Sequence, residues 1–272
     1  MQTCDRLCVG DRALVSVVIP AKNNGSTIKH CLGSIRGQTY REIEIILVDG
    51  FSTDDTVRIS ENMHAKVIPL EGERMKAKNH GLRICRGRYV CFIDSDMILE
   101  ERVIEQCVES CKANVAGVIV PERSIGNGLW VGVRDFERSL YSGSKIESAR
   151  FFDREIALQA GGFDEDVIAY EESTLPQKIE ALGYRVDGRI SDSILHDEGN
   201  FKLKKWLLKK QYYGKTTTAY LKKYPEYGSA QLGIKYRIAV MTGKGQWRTL
   251  LRYPLKSVGL FTLKFLEYLY SR

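Results

Sequence analysis

At 272 residues the chain can bury one large core, or a core plus a small appendage, and 43% hydrophobic with 28% charged residues excludes wholesale disorder. Charge is unevenly placed: residues 199–272 hold 16 Lys/Arg against two acids, Glu226 and Glu267, whereas residues 1–198 carry 25 basic and 32 acidic residues. A basic tail on an acidic body suits a polyanion, and lysines interleaved with large apolar residues, without a nucleic-acid module, point to an anionic membrane surface and not to nucleic acid.

In chain order, Leu14 to Ile19 reads as a buried strand ended by Pro20, and Thr27 to Gly37 places Ile28, Leu32 and Ile35 at helical spacing. Glu42 to Val48 is a second strand running into Asp49-Gly-Phe-Ser-Thr-Asp-Asp-Thr, a turn followed by a helix start. Lys66 to Leu70 is a short strand, and Arg74 to Cys85 a helix carrying Lys76, Lys78 and Arg83. Tyr89 to Ile93 is an apolar run that stops on Asp94-Ser-Asp96; a helix over Glu101 to Lys112 and a strand over Ala116 to Val120 follow. This βα alternation predicts a mostly parallel, doubly wound sheet.

The second half changes character. Gly126 to Tyr141 reads as a loop and helix, Ala149 to Phe152 as a short strand, and Asp153 to Ala160 as a short helix. A helix starting near Tyr170-Glu171-Glu172 runs to Leu182, with short strands near Tyr184 to Val186 and Asp192 to His196. In the tail, Phe201 to Lys210 is basic and amphipathic, with Trp206 suited to a membrane interface. Leu255 to Tyr270 is apolar over most of its circumference, so it lies in a membrane surface or packs against the body or a second subunit. No apolar run reaches the ~18 residues that span a bilayer, and Met1 to Ala13 is too polar for a secretory signal. The expected location is cytoplasmic, peripheral at the membrane face. The seven cysteines lack zinc-ligand spacing; Cys31, Cys85 and Cys91 fall in apolar patterns as small core residues.

Asp94 and Asp96 sit where a buried strand leaves the sheet, the edge at which open α/β sheets bind ligands. Two carboxylates there can coordinate a hard divalent cation that holds a diphosphate, or can serve as helix cap and turn residues.

Five segments carry a resemblance: Val17-Val-Ile-Pro-Ala-Lys-Asn, Val48-Asp-Gly-Phe-Ser-Thr-Asp-Asp-Thr, Lys76-Ala-Lys-Asn-His-Gly-Leu, Phe92-Ile-Asp-Ser-Asp and Gly161-Gly-Phe-Asp-Glu. In order and spacing they resemble the family 2 glycosyltransferases of the GT-A fold, over roughly residues 14–198. The resemblance implies an α/β, Rossmann-like GT-A domain over 1–198, with a nucleotide-sugar half (14–121) and an acceptor half (122–198), followed by a basic helical extension (199–272). It implies inverting transfer of a sugar from a nucleotide diphosphate, UDP most commonly and GDP or dTDP otherwise, to a glycan or polyprenyl-phosphate-linked acceptor. Asp96 would take Mn2+ or Mg2+, with His196 completing the metal site. Asp94 and Ser95 would face the donor ribose and sugar, Asp49 the base, and Pro20, Ala21, Lys22 and Asn23 the nucleotide, with Lys78 near the phosphates.

The general base implied by the resemblance is Glu172, with Glu171 as the alternative. This departs from the family, in which Asp is usual, and Thr174 stands where a further Asp often occurs. Arg138 and Arg150 fall in the acceptor wall, where they bind an acceptor phosphate or make structural ion pairs. Two other readings stand beside the enzyme. A non-catalytic nucleotide-sugar-binding protein is favoured by the Glu-Glu pair; a sugar nucleotidylyltransferase is disfavoured because Pro-Ala-Lys-Asn-Asn-Gly replaces a Gly-rich phosphate loop. A homo-oligomer is compatible with all three.

Overall fold

The computed structural model of the protein describes residues 8–9, 12–144, 146–243 and 245–270. Strands β1 (Cys8–Val9) and β2 (Arg12–Ala13) pair antiparallel ahead of β3 (Val15–Ala21), which is buried throughout. Then come α1 (Ile28–Arg36), β4 (Ile43–Asp49), α2 (Thr56–Asn62), β5 (Lys66–Pro69), α3 (Arg74–Ile84), β6 (Tyr89–Phe92) and β7 (Met97–Leu99). Next are α4 (Val103–Ser110), β8 (Gly117–Ile119), β9 (Glu122–Asn127), α5 (Leu129–Leu140), β10 (Ala149–Asp153) and α6 (Arg154–Gln159). A 3₁₀ turn (Glu171–Ser173) leads into α7 (Thr174–Ala181), β11 (Gly188–Arg189) and β12 (Ile194–Asn200). The tail is helical: α8 (Leu203–Lys223), α9 (Pro225–Leu232), α10 (Ile234–Thr242), α11 (Gln246–Arg252) and α12 (Pro254–Tyr270).

The chain forms two compact units, one of residues 1–121, 148–165 and 172–195, the other of 122–147, 166–171 and 196–272. The division therefore differs from a single break at 198, because α5 and β9 belong with the tail.

The first unit is a seven-stranded sheet in the order β11-β8-β10-β6-β3-β4-β5. Strands β6, β3, β4 and β5 run parallel in register, which aligns Ala21 with Asp49 at their carboxyl ends. Strand β10 is inserted antiparallel between β6 and β8, so the sheet is mixed but mostly parallel, as the alternation implied. One face packs Ile28, Leu32, Ile35, Val103, Ile104 and Cys107 against β3 and β6. The other packs α3, α6 and α7 around Phe92, Phe152 and Phe163, whose rings meet at 5.0 to 6.5 Å. Gly81 brings α3 close to β3, since a Cβ there would collide with Val18. All five cysteines with described side chains are buried and unpaired, and burial pushes the Cys91 and Cys111 thiols up to about 12, which makes them inert. Cys4 lies outside the described residues, and Cys8 is described only as backbone.

In the second unit β9 and β12 are sheet neighbours, and α5 packs with α8 and α12 around Val133, Phe136, Leu140, Leu260 and Leu263. Beneath that apolar layer lies a buried charge network. Lys264 pairs with Glu137 and, at 2.9 Å, with Glu267, while Arg134 reaches Glu137 at 3.1 Å. Burial opposes ionisation of Glu137, but Lys264 and Arg134 overcome it and hold the carboxyl down at about 2. Trp206 donates its indole N–H to Glu267 at 2.9 Å, and Arg134 lies over its ring at 4.2 Å. Trp206 is thus partly buried, because the only acid in the last helix turns inward to meet its indole.

Candidate active site

The carboxyl ends of β3, β4 and β6 assemble most of the residues singled out from the sequence. At the β3 and β4 ends, two loops are knitted by side chains bonding to backbone. Asn23 N–H donates to Ser52 Oγ at 2.9 Å, Thr53 N–H to Asn23 Oδ1 at 2.8 Å, and Gly25 N–H to Asp54 Oδ2 at 2.9 Å. Asn23 and Phe51 both adopt positive φ, +54° and +58°, conformations that cost side-chain-bearing residues energy and need such support. Asp49 is buried and accepts from Ser52 N–H at 3.0 Å and Ser52 Oγ–H at 2.5 Å. It thus closes the turn after β4, while each oxygen keeps a second lone pair. Pro20 and Ala21 are buried strand residues, whereas Lys22 and Asn23 are at the surface.

Three chain segments converge on Asp94. Lys78, on α3, is buried and sits with Nζ 2.9 Å from Glu172 Oε1 and 3.2 Å from Asp94 Oδ1. One helical turn earlier, Arg74 lies 3.5 Å from Asp94 Oδ2. Arg150, on β10 beside β6, stands 3.6 Å from Asp94 Oδ2 and 3.4 Å from Glu172 Oε2. Two carboxylates and three cations therefore share one largely desolvated cluster. For Glu172, burial favours the neutral acid, but Arg150, Lys78 and Arg74 reverse this and hold it well below the usual carboxylate range. The same balance, led by Lys78 and then Arg74, holds Asp94 down.

Glu172 joins Lys78 and Asp94 in this cluster, while Glu171 is a buried residue of the second unit. Tyr170, at φ +61°, makes the turn that begins this segment. Of the two roles open to Arg150, an acceptor-phosphate contact or a structural ion pair, its 4% exposure and its pairing with Asp94 and Glu172 match the ion pair, because β10 inserts next to β6 and carries it into the cluster. Arg74 was not singled out. Its signal was its spacing of four from Lys78 on a helix.

Arg138, the other acceptor candidate, lies in the second unit and pairs with Glu122. It also donates to His196 Nδ1 at 2.9 Å. A guanidinium can only donate, so Nδ1 is the acceptor and the neutral ring carries its proton on Nε2. A ring that ligates a metal through Nε2 needs the opposite tautomer, so His196 does not fit the metal role in this arrangement. Among the described residues no group of three His, Cys, Asp or Glu side chains is arranged to hold a metal ion. Asp96, half-buried in the loop after β6, does fit a hard cation whose remaining oxygen ligands come from a diphosphate. Ser95 beside it is buried. Asp94 Oδ1 is enclosed and accepts no well-aligned hydrogen bond despite the nearby ammonium, so acceptor capacity is left at the loop.

Comparisons with known proteins identify the family and the fold. The chain is 27% identical over 252 residues, 86% of its length, to a chondroitin synthase of Escherichia coli, covering 35% of that protein. It is 41% identical over 88 residues, 30% of its length, to the E. coli UDP-Glc:alpha-D-GlcNAc-diphosphoundecaprenol beta-1,3-glucosyltransferase WfaP, again covering 35%. The chain thus spans about a third of the length of these relatives. In fold it matches the mannosyltransferase PcManGT of Pyrobaculum calidifontis, solved with GDP-Man and Mn2+, at a TM-score of 0.64 and 19% identity, over 96% of this chain and 86% of that one. The family model described as glycosyl transferase family 2 matches residues 16–163, which include β3 to β6, the Asp-Ser-Asp loop and Gly161-Gly-Phe. With the mostly parallel sheet and the carboxylate cluster at its edge, this establishes that the chain belongs to glycosyl transferase family 2.

Proposed function

We propose that the protein is an inverting glycosyltransferase, moving a sugar from a nucleotide diphosphate to a hydroxyl of a glycan or polyprenyl-phosphate-linked acceptor. One observation carries the reading: Lys78 bridges Glu172 and Asp94, at 2.9 and 3.2 Å, so the acid at the α7 start stands beside the Asp-Ser-Asp loop. Direct displacement needs a carboxylate to take the acceptor proton on one face of the sugar and compensation for charge on the departing diphosphate on the other. Glu172 is ionised at neutral pH and supplies the base. Lys78 and Arg74 supply positive charge at the same loop, and Asp94 and Ser95 orient the donor sugar and ribose. Asp49, with the Pro20 to Asn23 loop, holds the nucleoside. Mn2+ or Mg2+ at Asp96 would, when bound, act as a Lewis acid on the diphosphate oxygens.

The relative WfaP, named for UDP-Glc and a diphosphoundecaprenol-linked acceptor, supports a UDP-sugar donor and a lipid-linked acceptor; the GDP-Man in PcManGT keeps a GDP-sugar in play. The acidic composition of the body and the basic tail support work at an anionic, cytoplasmic membrane face. A second reading, a nucleotide-sugar-binding protein without turnover, is favoured by one feature. Glu172 is clamped by Lys78 and Arg150, which lowers its basicity. Release of nucleotide diphosphate from UDP-sugars with Mn2+ distinguishes the two. The enzyme reading expects turnover by the wild type and by Arg185→Gln, a surface control, and a loss of roughly 10²–10⁴-fold in Glu172→Gln. Tight donor binding with no turnover in the wild type, across glycan and lipid-linked acceptors, would establish the second reading instead.

A further inference from the structure

Helix α12 is amphipathic with its faces reversed. Its charged pair, Lys264 and Glu267, turns inward to Glu137 and Trp206, and Leu260 and Leu263 are buried beside them. Outward along four turns stand Leu255, Val258, Phe261, Phe265 and Leu269, exposed by 84, 65, 53, 61 and 50%. An ordinary surface helix does the opposite, because apolar area left in water is a standing cost. The helices before it repeat the pattern: α11 exposes Trp247 and Leu251, and α10 exposes Ile234 and Ile238.

What covers this face is indicated by charge. Lys235, Arg248, Arg252 and Lys256 are exposed on the same three helices. Their only acid is Glu267, and it is spent inside. Arg252 and Lys256 lie 5.8 and 5.6 Å from the Tyr253 ring, and Arg248 lies 5.3 Å from that of Trp247. Aromatic rings next to cations, on helices that carry no outward acid of their own, match the boundary between anionic headgroups and acyl chains. No helix among the described residues is long and apolar enough to cross a bilayer, and α12, about 25 Å long, has the dimensions to lie in the plane of one leaflet.

We propose that the outward face of α10–α12 is a monotopic docking surface for an anionic bilayer, with Phe261 and Phe265 in the acyl region and Arg248, Arg252 and Lys256 on the headgroups. This deepens the membrane side of the proposed function and rests on that reading for its acceptor. Of the two tail segments read as candidates for a membrane surface, Phe201–Lys210 and Leu255–Tyr270, it places the contact on the second and extends it to α10 and α11.

The test uses the 272-residue chain with vesicles of phosphatidylcholine alone or with one third phosphatidylglycerol. The wild type is expected to float with the anionic vesicles only. Phe261→Ser/Phe265→Ser is expected to lose more than tenfold in partitioning while keeping its melting temperature and UDP-sugar binding. Arg248→Gln/Arg252→Gln/Lys256→Gln is expected to lose roughly fivefold for each cation removed. Brominated lipids are expected to quench the wild type, and most of the quenching to be lost in Trp247→Phe, since Trp130 and Trp206 pack against the core of the second unit. Three results would overturn the proposal: equal flotation on neutral and anionic vesicles, no flotation by a chain that still binds UDP-sugar, or a concentration-dependent dimer dissolved by the same serine pair. Because donor binding is measured separately, loss of flotation alone leaves the glycosyltransferase reading standing.

Discussion

Lys78→Met perturbs the carboxylate cluster at its centre, replacing the ammonium with a thioether of similar length. In the wild type that ammonium is 1% exposed and lies within 3.2 Å of two carboxylates, so its loss leaves Asp94 and Glu172 facing one another in a largely dry site. Arg150 and Arg74 remain at 3.4 to 3.6 Å, which puts the cost at the lower end of that for breaking a buried ion pair, about 3 kcal/mol. At 2–4 °C per kcal/mol for a unit of this size, the melting temperature should fall by roughly 6–12 °C. Adding Glu172→Gln removes one of the stranded charges and should recover at least half of the loss. Acid supplies a second reading of the same cluster. Asp94 and Glu172 are held below their ordinary values, so the stability they contribute is complete above about pH 4–5 and is lost as pH falls toward the folded-state values. In Lys78→Met both carboxylates are less depressed, and the acid-induced fall in melting temperature should be shallower. A single variant melting within about 2 °C of the wild type, with an unchanged acid profile, would refute this description of the cluster.

Gly81→Ala forces a methyl against Val18 and should cost about 1–3 kcal/mol by urea denaturation; because α3 carries Arg74 and Lys78, it should also weaken donor binding. Lys264→Met strands Glu137 beside Arg134 and should destabilise the second unit by about 3–5 kcal/mol, seen as faster proteolysis within residues 196–270, while Lys264→Met/Glu137→Gln recovers most of it. His196→Gln should leave Mn2+-dependent UDP binding within about threefold of the wild type, because the ring nitrogen facing Arg138 is an acceptor and the neutral ring is in the wrong tautomer to ligate. A calorimetric loss near that of Asp96→Ala would reinstate His196 as a ligand.

The first half of the fold was legible because buried parallel strands are largely apolar runs, as in Ile45-Ile-Leu-Val ahead of Asp49, and each ends on a turn residue. Their carboxyl ends follow from the alternation alone, and so does the neighbourhood of Asp49 and Asp94. Strand β9, Glu-Arg-Ser-Ile-Gly-Asn, was missed because it is a polar strand with a single buried side chain, Ser124. Strand β7 is three residues long and gives no period to read. The insertion of β10 between β6 and β8 is a tertiary outcome, and it is what decides between the two roles open to Arg150 by bringing it beside Glu172. Amphipathicity in α12 was visible, but its direction was not. A periodic pattern states that two faces differ, and only the distant partners Glu137 and Trp206 determine which face is inside.

The central claim is that the Asp94–Asp96 loop binds a nucleotide diphosphate together with a divalent cation. Titration calorimetry of UDP and GDP into the wild type and Asp96→Ala, with and without Mn2+, tests it most directly. The expected result is binding of one nucleotide that tightens at least tenfold with Mn2+ in the wild type, and a much smaller Mn2+ effect in Asp96→Ala. Mn2+-enhanced binding of equal strength in Asp96→Ala, or no binding of either nucleotide to folded wild-type protein, would contradict it.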